Sequence, residues 1–124
     1  MKKILIAEDD KFLANAYRVK LTKSGFEVII AYDGEEALNF LQNQIPDIIL
    51  LDLVMPKKDG FTVLEEIKKT ERLKGIPVIV ASNLGQKEDI ERTKSLGADD
   101  YVVKSDMTLD QIISKINALL NKSV

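Results

Sequence analysis

Three consecutive acids, Glu8, Asp9 and Asp10, stand directly after the apolar run Ile4-Leu5-Ile6-Ala7, and a lone acid, Asp52, stands after Ile48-Ile49-Leu50-Leu51. Ser82 and Asn83 follow the run that ends at Ala81, and Lys104 follows Tyr101-Val102-Val103. Short, wholly apolar runs of this kind read as strands buried on both faces. In an open parallel sheet the ligand site lies outside the carboxyl ends of the strands, where the strand order reverses. If the first and third strands are central neighbours, as in the flavodoxin-like order, three carboxylates, a hydroxyl and an ammonium converge on one shallow cleft. Crowded carboxylates raise one another's pKa unless a cation sits among them. The chain has neither histidine nor cysteine, so the ligands on offer are oxygens, which favour magnesium, calcium or manganese over zinc or haem iron. Magnesium takes one or two carboxylates and completes its shell with water and phosphate oxygens. Ser82 and Lys104 would offer a hydrogen bond and a point charge to the same phosphate. A carboxylate can itself attack phosphorus, with metal and lysine neutralising the equatorial oxygens, and Asp52 is the acid best placed to do so.

The elements that must position these groups alternate in type. Strands are expected at Ile4 to Ala7, Glu27 to Ala31, Asp47 to Leu51, Pro77 to Ala81 and Asp100 to Val103. The first helix, Phe12 to Ser24, carries Leu13, Tyr17 and Leu21 at a four-residue spacing, and Gly25 supplies its stop. The second, Gly34 to Asn43, opens with Asp33 and Glu36 in the pattern of a capping box. A loop holding Met55 to Gly60 leads to a third helix bearing Phe61, Leu64 and Ile67, expected to end near Gly75. The fourth, about Gln86 to Leu96, has only Ile90 and Leu96 strongly apolar, with Thr93 as a weak third, and should be the least firmly held. Leu109, Ile112, Ile113, Ile116, Leu119 and Leu120 give the fifth helix the clearest stripe in the chain. Five strands alternating with five helices specify an α/β fold with a parallel sheet, the flavodoxin-like order 2-1-3-4-5, and right-handed crossovers.

With 124 residues, one domain spanning 1–124 is expected, without an output domain. No apolar run approaches the length of a membrane span, and the charged start MKKILIAEDD is not a cleavable signal, so a cytoplasmic location is expected. A formal net charge of -2 gives no general attraction to nucleic acid.

ILIAEDD at the start, DIILLDLVMPKKDG around Asp52, PVIVASN before the fourth loop and GADDYVVK ending at Lys104 agree in order and in structural context. Together they resemble a two-component response-regulator receiver domain, over Lys3 to about Leu120. The resemblance implies a switch rather than a turnover enzyme. Asp52 would be the phosphoacceptor, phosphorylated with magnesium, or manganese as a substitute, by a histidine kinase, a phosphotransfer protein or a small phosphodonor. It further implies that Glu8 and Asp9 bind the metal with Asp52, that Val54 lends it a backbone carbonyl, that Ser82 is the switch hydroxyl, Tyr101 the rotating aromatic and Lys104 the phosphate-binding lysine. The surface of helix four, strand five and helix five would then meet a downstream protein. Ser105 stands where the family usually has proline, commonly behind a cis peptide, and Asp106 where it has an aromatic. A non-proline cis bond costs about 3 kcal/mol, so a trans loop of different shape is expected. Asn83 stands where a small residue is usual.

Other readings of the same residues differ in kind. Asp10 suits a helix cap, Tyr101 could serve packing alone, and Met55, Pro56 and Gly60 read as turn chemistry. A small-molecule phosphohydrolase would use Asp52 for turnover, but such enzymes usually carry a second acid where Val54 stands. A flavin-binding electron carrier would need to receive a phosphate at the first loop, which is acidic. Leu109, where dimerising relatives often carry a basic residue, points to a monomer before phosphorylation. Mutual repulsion of Glu8, Asp9 and Asp52 should raise the pKa of at least one of them.

Overall fold

The computed structural model describes residues 1–122. Its elements run β1 (Lys3–Ala7), α1 (Lys11–Lys23), β2 (Glu27–Ala31), α2 (Gly34–Asn43), β3 (Ile48–Leu51), α3 (Gly60–Lys69), β4 (Val78–Ser82), α4 (Lys87–Ser95), β5 (Asp100–Val103) and α5 (Leu109–Lys122), with a single 3₁₀ turn at Lys104–Asp106. All strand pairs are parallel, in the order β2-β1-β3-β4-β5, as the sequence leads one to expect. Register sets β1 against both neighbours, with Ala7 beside Ala31 on one side and Leu51 on the other. The residues after β1 and β3, Glu8 and Asp52, are therefore brought to one edge.

Alternation along the strands splits the core in two. Leu5, Ala7, Ile49, Leu51, Val78 and Val80 face α2 and α3 through Ala37, Leu41, Leu64 and Ile67. Ile4, Ile6, Ile48, Leu50, Ile79 and Val102 face α1 and α5 through Tyr17, Leu21, Ile112 and Ile116. Burial on both faces is why β1, β3 and β4 are apolar runs rather than alternating ones.

Local chemistry fixes the helix ends. The Asp33 carboxylate accepts the Glu36 N–H at 2.8 Å, while Glu36 reaches back to the Tyr32 N–H at 2.7 Å, one residue before the position of a strict capping box. Gly25 and Gly97 end α1 and α4 at φ 93° and 104°, in the region that favours glycine. The third helix stops at Lys69 rather than near Gly75: Thr70 takes an extended backbone and its hydroxyl binds the Glu66 carbonyl at 2.7 Å, after which a turn buries Leu73 and Ile76. In α4 only Thr93 is buried, in accord with its thin apolar face.

Gly60 opens α3 against the backbone it follows. A Cβ there would lie 2.2 Å from the Asp52 carbonyl oxygen and 2.6 Å from the Leu53 Cα, and neither atom can yield without moving β3. Gly60→Ala should cost on the order of 3 kcal/mol, read as a lowered urea midpoint. A midpoint equal to the wild type would show that the loop rearranges freely.

Candidate functional site

Glu8 leaves β1 on the face that carries Ile4 and Ile6, and it is 3% exposed. Its Oε2 accepts the Asp10 N–H at 3.1 Å. Asp10 caps α1, its Oδ1 accepting the N–H groups of Phe12 and Leu13 at 3.0 and 3.1 Å, so the acid read as a helix cap is one. Asp9, between them, is exposed. Asp52, 6% exposed at the end of β3, accepts the Val54 N–H at 3.3 Å. Glu8, Asp9 and Asp52 each offer a carboxylate oxygen, all within 4.8 Å of one another. Three hard oxygen donors at that spacing fit a divalent cation of the magnesium or manganese kind.

Lys104 lies between two of these acids. Its Nζ donates to Glu8 Oε1 at 2.5 Å and to Asp52 Oδ2 at 3.0 Å, with side chains only 14%, 4% and 8% exposed. The peptide bond after Lys104 is trans, as expected without proline, and a turn of 3₁₀ helix follows. Ser82, placed after β4 on sequence grounds, is the strand's last residue and is wholly buried, its Oγ accepting the Leu84 N–H at 3.3 Å. Asp52, Val54, Ser82, Asn83, Leu84 and Lys104 line a cavity of about 250 Å³. Val54 is largely exposed at its rim. Tyr101 does not reach the acids: its hydroxyl donates to the Leu84 carbonyl, and burial raises its pKa.

Sequence reasoning missed three contacts here. The Glu8–Lys104 pair joins residues 96 apart and has no local signal. The Leu84 carbonyl as partner of Tyr101 is equally silent, because any residue carries that acceptor. Gly60, read as turn chemistry alone, also allows the backbone of its loop to approach Asp52, and the Asp-Gly pair was the available hint.

The electrostatics correct one expectation. The Glu8 carboxyl is raised above its ordinary value, but chiefly by burial, with the hydrogen bond from Lys104 opposing and repulsion from Asp52 a minor contribution. A carboxyl raised in the folded state binds its proton more tightly there than in the unfolded chain. Its contribution to stability is therefore lost as pH rises from about the ordinary 4.5 through the raised value. Lys104, raised above 10.5 by its acidic partners despite burial, contributes fully below that value and loses its contribution only above it. Urea midpoints in chelator should thus fall more steeply above pH 4.5 for wild type than for Glu8→Gln. Equal slopes would contradict this assignment.

Comparison with known proteins identifies the family. Residues 4–117 match the model of the response regulator receiver domain. The chain is 38% identical over 123 residues to the transcriptional regulatory protein CpxR of Escherichia coli K12, covering 99% of this chain and 51% of that protein. It thus spans about half the length of the curated relatives it matches. Among solved structures, the Francisella response regulator 1452 receiver domain superposes with TM-score 0.91 at 31% identity, covering all of both chains. The Mn(2+)-bound form of response regulator Rcp1 does so with TM-score 0.87 at 36% identity, covering 100% of this chain and 97% of that one. This chain belongs to the response regulator receiver domain family, and its fold is the flavodoxin-like receiver fold.

Proposed function

We propose that the chain is a phosphorylation switch in which Asp52 is the phosphoacceptor and Glu8, Asp9, Asp52 and the Val54 carbonyl hold a magnesium ion, or manganese in its place. The observation that carries this reading is the convergence of three carboxylates within 4.8 Å, with the Lys104 ammonium 3.0 Å from Asp52, at the carboxyl edge of a parallel sheet. Receiver domains as a family are phosphoacceptor switches of two-component systems, not turnover enzymes. The donor proposed here is the phosphohistidine of a sensor kinase or phosphotransfer protein, or a small acyl phosphate. The recipient of the signal is a downstream protein, with no direct part for nucleic acid or membrane.

An Asp52 carboxylate oxygen attacks phosphorus, the bond from phosphorus to the donor's leaving atom breaks, and an acyl phosphate remains on Asp52. A divalent cation, when bound, supplies charge that neutralises the phosphoryl oxygens. Lys104 exchanges its hydrogen bonds to Glu8 and Asp52 for one to the phosphoryl group. Ser82, buried among the residues that line the cavity, is the neutral donor that the added oxygens draw on. Leu84, which follows closely, holds the Tyr101 hydroxyl, so movement there frees the aromatic ring. The thinly buried α4 is the element that such a shift moves most easily. A cytoplasmic location and a monomeric state of the unmodified chain are further parts of the proposal.

Incubation with a small acyl phosphate, with magnesium or with chelator, tests the reading through intact mass. One phosphoryl group per wild-type chain with magnesium, and none for Asp52→Asn, is expected. Uptake that ignores either the metal or the substitution refutes it.

A further inference from the structure

Few side chains tie the fourth helix to the rest of the molecule. Only Thr93 is buried, and its hydroxyl turns back on the Ile90 carbonyl of the same helix at 2.9 Å. Gln86, at the N-cap position, makes no side-chain hydrogen bond there. The ion pair of Lys87 with Glu91, at 3.9 Å, also stays within the helix and is exposed. Among the described residues, one ionic or ring contact of a side chain leaves α4: the Arg92 guanidinium lies over the Phe61 ring of α3, 3.9 Å from its centroid. That is a stacking distance, at which a guanidinium is attracted by the face of the ring.

The two partners are held very differently. Phe61 follows Gly60, whose N–H donates to the Leu53 carbonyl at 2.9 Å and whose Cα is so close to the Asp52 carbonyl that a Cβ would lie 2.2 Å from that oxygen. The ring also packs against the core layer beneath α2 and α3. Phe61 is therefore fixed to the backbone of the acid proposed as phosphoacceptor. Arg92 is exposed and rides on the helix with the thinnest apolar face. A contact between a fixed partner and a movable one is made in one position of the movable element and lost in another, and this attraction fades beyond about 6 Å from the ring centroid.

We propose that Arg92 and Phe61 form a latch that holds α4 in its unmodified position and that opens in the phosphorylated state. The latch rests on the phosphoryl switch proposed above, in which α4 is the element that moves. A contact made in one of two states favours that state by its own worth, so the stack keeps the resting population of the moved position low. Part of the interaction with the phosphoryl group is then spent in opening it. Both residues are positioning residues, since neither touches the reacting atoms.

Beryllofluoride, an analogue of the phosphoryl group, is titrated by calorimetry into the whole chain in saturating magnesium. Arg92→Met, which removes a charge from an exposed position without opening the core, should bind it about threefold more tightly than wild type. Phe61→Leu keeps an apolar body without the ring face and should show the same gain, whereas Phe61→Tyr keeps the face and should bind as wild type does. In the Phe61→Leu background, Arg92→Met should change nothing further. A mere effect of net charge would persist in that background. Equal affinities of wild type and Arg92→Met, or a gain that survives without the ring, would overturn the latch. Weaker binding by Arg92→Met would overturn it too, because the stack would then belong to the phosphorylated state. A wild type that binds no beryllofluoride in magnesium would overturn the phosphoryl switch itself, which separates the two failures.

Discussion

Lys104→Met should destabilise the unmodified protein by about 3 kcal/mol at neutral pH, lowering its melting temperature by roughly 10 °C. The lysine serves two acids at once, Glu8 at 2.5 Å and Asp52 at 3.0 Å, all three side chains being mostly out of water. Taking one partner from a buried ion pair leaves an uncompensated charge, which costs more than the pair itself contributes. Methionine keeps most of the stem's volume, so the loss reports charge and not a cavity. The sign of the pH dependence follows from Glu8, whose carboxyl is raised by burial and held down by Lys104. Without the lysine it rises further. The defect should then shrink in acid, where Glu8 takes up a proton, and grow as pH rises through the new value. Magnesium should restore part of the loss, because a cation among the acids replaces the ammonium. A loss under about 1 kcal/mol, or one indifferent to pH, would show that Lys104 is a surface lysine in effect.

Asp9→Ala should abolish most of the stabilisation that magnesium confers while leaving the metal-free protein as stable as wild type or slightly more so. Asp9 is the exposed member of the cluster and makes no ion pair among the described residues, so truncating it removes no packing and relieves repulsion. A ligand at ten times its dissociation constant, binding only the folded state, adds about 1.4 kcal/mol, or about 4 °C in a domain of this size. Wild type should show that shift with magnesium and little of it with calcium, whose larger shell asks for more oxygens. Melting curves of both proteins with chelator and with magnesium decide the matter. A variant that keeps the whole shift, or a wild type that shows none, would mean that the acids do not form a metal site.

The sheet and its edge were legible because both follow from short-range pattern. Runs such as Ile48 to Leu51 are apolar for a reason that any residue-by-residue reading detects, burial on both faces, and the acids that end them announce the edge. Gly25 and Gly97 were legible as helix stops for the same local reason. The end of α3 was not, since Thr70 turns to an extended backbone with no glycine or proline beside it to signal the stop. Ser82 was assigned to the loop although it belongs to β4, because a hydroxyl interrupts an apolar run without interrupting a strand. Which side chains the sheet edge brings together was largely legible, their wiring was not. That Lys104 neutralises Glu8, and that burial rather than repulsion raises Glu8, depends on how side chains from distant segments pack. Arg92 shows the limit most clearly: its place on the polar face of α4 says nothing of the Phe61 ring beneath it.

The most direct test of the account is to locate the phosphoryl group. After incubation with a small acyl phosphate and magnesium, reduction with borohydride converts an acyl phosphate into the corresponding alcohol, which marks the modified residue for peptide sequencing by mass spectrometry. The account predicts a single marked residue, Asp52, with no mark when chelator replaces magnesium. A mark on Asp9, Asp10 or any other acid of comparable yield, or one on Asp52 that persists without metal, would contradict it.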